Sequence, residues 1–278
     1  IKVDGKTYYD LITPYGYGGP LIQDCKEGSR KELAREFATE FRSYCIDNNI
    51  VSEFVRFHPI VGNAEDFNDC YHVEHVRNTV GTNLQDYEDP VQDEFSKSCR
   101  KRVRKALRDG ISYQVIETPS SINGFRDIYY STMDRNAASE FYYFDNAYFD
   151  KCLELFKENL LLVEAMYGGQ VIAMGLYFIH RKTIHIHLSG TLNEFLRLSP
   201  AYILRYGVTL WGKENGYELI HHGGGRTDDP DDGLYRFKKQ FGQNTEFKFC
   251  VGKKIWDMNV YKQLSSAMNI DKQVDFFP

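Results

Sequence analysis

The chain has 278 residues, 42% of them hydrophobic and 26% charged, and a formal net charge of -5. That length supports one large domain or two lobes of ordinary size, and the composition excludes a disordered or low-complexity chain. The acidic balance, with a pI near 5.9, argues against a protein that coats nucleic acid without specificity, although a local basic patch can still serve one bound anion.

In chain order the first half opens on strand-like TYYDLITPYGYGGPL, followed by a helix over RKELAREFATEFRSYCIDN and strands over SEFVRFHP and HVEHVRNTVG. A helix over DEFSKSCRKRVRKALRDG and a strand over ISYQVIE complete it. Proline, serines and glycine cluster in ETPSSING, residues 117–124, and predict a boundary there. The second half reads as strands 159–167 and 170–180 joined at Gly168-Gly169, then a period-two strand 182–190. Ser199-Pro200 opens a helix that Gly216 stops, YELIHH returns as a strand, GLYRFKKQF is a short helix and 245–252 a closing strand. The expectation is an α/β chain of two lobes, 1–117 and 118–252, each a mixed, largely antiparallel sheet flanked by helices. The tail 253–278 is expected to pack back on the first lobe.

Six cysteines lie at 25, 45, 70, 99, 152 and 250 with no Cys-x-x-Cys pair, so reduced structural thiols are expected. The longest apolar region, LLLVEAMYGGQVIAMGLYFI, is broken by Glu164 and the glycine pair and reads as a hairpin, short of a membrane span. A cytoplasmic location is the expectation. The chain starts at Ile1 and not at methionine, so residues upstream of it are expected as well.

Several patterns carry chemistry. At 100° per residue, Lys97, Arg100, Lys101, Arg104, Lys105 and Arg108 fall on one face of their helix, opposite Phe95, Cys99, Val103, Ala106 and Leu107. Such a stripe contacts phosphates or is a solvated face. In HHGGGRTDDPDDGLYRFKKQFG a strand end meets Gly223, Gly224 and Gly225, which let backbone turn sharply or approach a ligand. The next helix offers N–H groups with Lys238 and Lys239 one turn in, suited to an anion or developing oxyanion. The plainer account is a tight turn, solvated aspartates, and Phe237 and Phe241 in the core. DDPDDG lacks the ligand spacing of an EF-hand, so no metal is expected, and Asp229 or Asp232 is expected to cap the helix. His185 and His187 share one strand face and read as half-buried strand histidines; His221 or His222, beside the glycines, is a candidate proton acceptor. The aromatic cluster EFYYFDNAYF, residues 140–149, lines a groove or packs internally.

The runs FSKSCRKRVRKALRDGI, GGQVIAMGLYF, SGT, LSPAYILRYGVTLWGKENGYELIHHGGG and DGLYRFKKQFG resemble, in the same order, the FemAB family of peptidyl and aminoacyl transferases. PYGYGGPL is similar to looser acyltransferase relatives. The resemblance covers nearly the whole chain and implies two GNAT-like lobes and transfer of an acyl or aminoacyl group to an amine. In the cell-wall members the donor is an aminoacyl-tRNA and the acceptor the peptide of a peptidoglycan precursor. No segment here has room for the coiled-coil arm of the methicillin-resistance members. By resemblance Phe237 and Lys238 fall on the catalytic Phe-Lys pair and Arg135 lies in the segment ahead of the acceptor cleft, while His222, from its place beside the glycines, is the candidate base. Gly223, Gly224, Gly225, Arg100, Arg104, Arg135, Tyr202 and Arg205 are the candidate substrate contacts. No tightly bound cofactor is expected, only an activated donor, aminoacyl-tRNA or acyl-CoA. RLSPAYIL stands where coenzyme A enzymes carry a glycine-rich diphosphate turn, and its proline removes one amide, which favours a donor other than acetyl-CoA. The alternatives are a coenzyme A-dependent N-acyltransferase acting on a polysaccharide or small amine, and a non-catalytic module binding peptidoglycan precursor or RNA.

Overall fold

The computed structural model describes residues 1–3, 5–268 and 276. In chain order its elements are β1 (Lys2–Val3), β2 (Lys6–Thr7), β3 (Tyr9–Ile12), α1 (Arg30–Asp47), β4 (Ile50–Arg56), α2 (Asn63–Asp66), β5 (His72–Asn83), α3 (Pro90–Glu94), α4 (Lys97–Arg108) and β6 (Ser112–Glu117). There follow α5 (Phe125–Arg135), α6 (Asn146–Phe156), β7 (Leu160–Tyr167), β8 (Gln170–His180), β9 (Thr183–Thr191), α7 (Pro200–Glu214), β10 (Leu219–Gly224), α8 (Gly233–Lys239), β11 (Glu246–Ile255) and α9 (Met258–Ala267). The chain forms two compact units, 1–78 with 247–278, and 79–246.

This division differs from the expected boundary at 117–124. β6 is paired with β7 from Ser112 to Glu117 and α4 packs on α7, so both elements belong to the second unit. The chain leaves the first unit between Asn78 and Thr79, inside the unbroken strand β5. Residues 253–268 lie in the first unit; of the rest of the expected tail, only 276 is among the described residues.

In the first unit β3 runs parallel to β4, β4 is antiparallel to β11, and β5 lies beyond β11. Ala34 and Cys45 of α1 close its core with Val55, Phe57, Phe67, Tyr71 and Trp256. Only Tyr9–Ile12 of the strand-like opening run joins this sheet.

The second unit has strand order β5-β10-β9-β8-β7-β6, antiparallel except for the β9–β10 pair. Alternation along β7 sends Leu161, Val163 and Ala165 to a core shared with α4 and α7, and Leu160 and Leu162 to one shared with α5 and α6. The basic helix behaves as its periodicity requires: Cys99, Val103 and Ala106 are buried. It begins later than expected, because Ser96 accepts the Cys99 N–H at 3.2 Å and starts α4 afresh after the short α3.

Two details place the site. First, β9 connects to its parallel neighbour β10 through α7, but the two strands pair only from Thr183↔Leu219 to His185↔His221. β9 continues to Thr191 beside β8, and β10 to Gly224 beside β5, where its register shifts between His221 and Gly223. The parallel strands therefore part at the histidines. Second, Glu94 is fully buried and anchors the 243–245 loop: it accepts from Asn83 N at 3.1 Å, from Asn244 N at 2.9 Å and from the Thr245 hydroxyl. Glu94→Ala strands those donors, so urea unfolding is expected to show a loss of about 3 kcal/mol; a loss below about 1 kcal/mol would refute the anchoring role.

Candidate functional site

The side chains that gather around the end of β10 all belong to the second unit. The parting of β9 from β10 leaves that end flanked by α7 and α8. Gly223 takes φ +73° at the register shift, a left-handed conformation that a side chain would disfavour. Gly224 supplies its carbonyl, which accepts from Lys238 Nζ at 2.7 Å. Gly225 is needed for space, since a Cβ there would lie 2.6 Å from Asp232 Oδ1 and 2.9 Å from the Tyr235 Cβ. Gly223 and Gly225 thus answer two different requirements, one of conformation and one of space.

Asp232 is the helix cap: Oδ1 accepts the Tyr235 N–H at 2.8 Å and Oδ2 the Arg226 N–H at 3.2 Å. Burial would raise its pKa, but these amide bonds outweigh that and lower it. The start of α8 is therefore already occupied by a carboxylate. Asp229 instead accepts the Asp231 N–H at 2.8 Å. Among the described residues no group of three His, Cys, Asp or Glu side chains could hold a metal ion.

Behind Lys238 lies a ring of aromatic and cationic groups. Phe237 and Phe241 meet edge to face at 5.3 Å, and Tyr202 of α7 packs on both, at 5.4 and 5.3 Å. The guanidinium of Arg205 sits over Phe237 at 4.8 Å and over Phe241 at 5.4 Å. His222 stacks on Phe241 from the β10 side, with ring centroids 5.9 Å apart.

The protonation of His222 follows from its neighbours. Thr82 donates its one hydroxyl hydrogen to the Phe241 carbonyl at 2.6 Å, so its oxygen accepts from His222 Nε2 at 2.7 Å. Nδ1 then carries a lone pair. Burial, followed by the charges of Arg205 and Lys238, holds the imidazole well below its ordinary pKa, and it is neutral at pH 7. His221 is engaged differently, with His185 Nδ1 at 3.0 Å and Thr79 Oγ1 at 2.9 Å. His187 bonds the Tyr148 hydroxyl at 2.5 Å, and burial lowers its pKa to about 4. His185 and His187 are half-buried strand histidines, as the alternation suggested.

The match to a family model falls on this unit. Residues 93–239 match the model described as "Acetyltransferase (GNAT) domain". The chain belongs to that family. Its GNAT domain thus spans α4 to α8 and contains Tyr202, Arg205, His222, the three glycines, Phe237 and Lys238, and the protein is an acyltransferase. Among solved structures the chain is similar in fold to that titled "Crystal structure of FemX", with 13% identity, a TM-score of 0.67, and coverage of 85% of this chain and 80% of that one. It is also similar to the C-terminal domain of a putative lysylphosphatidylglycerol synthetase from Agrobacterium fabrum (14% identity, TM-score 0.59, coverage 89% and 80%). A third similar structure is L-PGS from Bacillus licheniformis (13% identity, TM-score 0.55, coverage 88% and 79%). No curated protein matches the chain. Among the described residues no helix is long and apolar enough to cross a membrane.

Within the GNAT domain the structure gathers Phe237, Lys238, His222, Gly223, Gly224, Gly225, Tyr202 and Arg205 of the sequence-based candidates, and sets three others apart. Arg100 donates to the carbonyls of Gln92, at 2.7 Å, and Phe95, closing the end of α3. Arg104 is exposed on the outer face of α4. Arg135 spends its guanidinium on Thr191 O and Thr132 Oγ1, each at 3.2 Å, and on Asn193. Through these bonds it ties α5 to the end of β9. The aromatic run 140–149 is largely internal packing: Tyr129 and Tyr130 donate to Tyr142 O and Phe144 O at 2.8 Å, and Phe144 stacks on Tyr148 at 4.3 Å. The site residue that the sequence did not single out is Arg102, whose guanidinium lies 5.5 Å from the Tyr202 ring centroid. Its position off the cationic arc of α4 was the available signal. Gly225→Ala is expected to push Asp232 from its cap, costing about 1 kcal/mol in urea unfolding and lowering turnover severalfold; a fully stable, fully active variant would refute this reading of the turn.

Proposed function

We propose that the protein transfers an acyl or aminoacyl group from an activated ester to an amine, with Lys238 as the residue that stabilises the developing oxyanion. The observation that carries this is the Lys238 ammonium, half-buried and fixed at 2.7 Å on the Gly224 carbonyl, with neutral His222 close enough to feel its charge. A fixed ammonium in a partly desolvated setting favours a tetrahedral intermediate over a neutral ester, because negative charge appears only in the former. His222 Nδ1 is an acceptor for the proton that the amine must lose. The FemAB resemblance implies an amine on a cell-wall peptide or related acceptor. One fold neighbour bears a name that denotes an aminoacyl product, lysylphosphatidylglycerol.

The start of α7 argues for a donor other than coenzyme A. Ser199 has φ +57° and spends its N–H on Leu196 O at 2.9 Å, Pro200 has none, and Tyr202 N–H bonds Ser199 O at 3.1 Å. Such a turn offers no run of amides to a diphosphate. The outer face of α4 suits a polyanionic donor such as tRNA instead. Lys97, Lys101, Arg104, Lys105 and Arg108 are exposed there, and Arg102, exposed to one side of that face, lies over Tyr202, which packs on Phe237.

Lys238→Ala is expected to keep its fold by circular dichroism and to lose on the order of 10²–10³ in turnover; unchanged turnover would remove the assignment. Calorimetry with acetyl-CoA is expected to show no micromolar binding, and clean micromolar binding would instead support the coenzyme A-dependent alternative. If the donor lies along α4, replacing Lys101 and Arg104 with alanine flattens the salt dependence of its KM by about two on a log–log plot. An unaltered slope would remove α4 from the donor path.

A further inference from the structure

Three side-chain polar atoms of the second unit are buried with no hydrogen-bond partner among the described residues: Arg205 Nε, the Tyr177 hydroxyl and His222 Nδ1. They belong to one cluster. Arg205 and His222 share Phe241 as a neighbour, and Tyr177 is buried in the same core cluster as Phe241. Arg205 is 4% exposed, and burial lowers its pKa against weak opposing effects from Tyr177, Cys99 and Tyr202, none of them a carboxylate. Its guanidinium hydrogen-bonds Ala201 O, within its own helix, at 3.3 Å. A buried cation without a counter-charge is costly, and cation–π contacts offset only part of that cost.

The chemistry of the three atoms is complementary to one kind of group. Arg205 Nε–H and the Tyr177 O–H are donors, and His222 Nδ1 is an acceptor, because Thr82 fixes the proton on Nε2. Two donors beside an uncompensated positive charge call for a carboxylate. A lone pair next to them calls for an N–H. We propose that these three groups recognise an acceptor bearing an α-amino acid head, its carboxylate on Arg205 and Tyr177 and its ammonium donating to His222 Nδ1. Phe237, half-buried over the guanidinium, is the side chain past which that head reaches Arg205.

This rests on the acyl-transfer reading and names its acceptor class. The ammonium passes one proton to Nδ1, and the freed nitrogen lone pair forms the C–N bond as the C–O bond to the donor alcohol breaks. The departing oxygen takes the second proton shed by the nitrogen, leaving an amide N–H and a neutral alcohol. Arg205 is the first charge, after burial, that keeps His222 unprotonated. A carboxylate seated on it makes Nδ1 a better base when, and only when, the correct acceptor is bound.

The test is thermal melting of the full chain at constant ionic strength with three probes. These are L-lysine, cadaverine, which lacks the carboxylate, and 6-aminohexanoate, which lacks the adjacent amine. L-Lysine is expected to raise Tm saturably by roughly 4 °C at high excess, and the other two to leave it unchanged. Arg205→Met is expected to melt no lower than the parent, since it removes an unpaired buried charge, and to abolish the lysine shift. Tyr177→Phe keeps the packing and is expected to weaken lysine binding about tenfold. Equal shifts with lysine and cadaverine, or a full lysine shift in either variant, would overturn the proposal. Lys238→Ala separates the two ideas: it is expected to bind lysine normally while losing transfer. Retained transfer in that variant would defeat the oxyanion assignment alone, and a retained lysine shift in Arg205→Met would defeat the subsite alone.

Discussion

The second unit is organised by one backbone constraint. β9 and β10 are parallel neighbours for only three residue pairs, ending at His185↔His221. Beyond that point each strand satisfies its amides elsewhere, β9 on β8 and β10 on β5. A buried amide without a partner costs as much as a lost hydrogen bond, so strands can part only where second partners exist. The register shift at Gly223 lets β10 follow β5 away from β9. α7 and α8 can then bring Arg205, Tyr202, Phe237 and Lys238 to the end of β10.

Polarity around that opening is uneven in a way that favours anionic chemistry. Asp232 is used up by the amides of its own turn, and Glu94 by the 243–245 loop. Arg205 keeps its charge inside, against aromatic faces. Neutral His222 lies next to it as an acceptor because Thr82 and the Phe241 carbonyl together settle where its proton resides. The low polarity of the aromatic ring strengthens each of these electrostatic interactions relative to water. The same desolvation would make them costly were they only structural.

Cationic side chains of similar sequence context divide sharply by role. Arg100 and Arg135 satisfy carbonyls at the ends of α3 and β9. Arg102 lies over Tyr202, and the remaining charges of α4 are exposed. Helical periodicity shows which face of α4 is wet, but not which arginine finds a carbonyl or an aromatic ring nearby. Those partners come from α3, α7 and β9, which are distant in the chain.

Much was legible before any coordinates. Alternation and turn residues placed β7 to β11, the Ser199-Pro200 start of α7 and the separate α8, since strand and helix periods and proline or glycine punctuation are local properties. Local capping chemistry likewise narrowed the helix cap to Asp229 or Asp232. Three things were decided only by tertiary structure. The units part inside β5, a continuous strand that carries no local signal of a boundary. Gly223 and Gly225 have separate reasons, set by strand register and by Asp232. Arg205 differs from Arg135 because packing on Phe237 and Phe241 buries it with a carbonyl of its own helix as acceptor, whereas Arg135 meets acceptors on Thr191, Asn193 and Thr132, and burial and partnering are properties of the assembled core that no stretch of sequence contains.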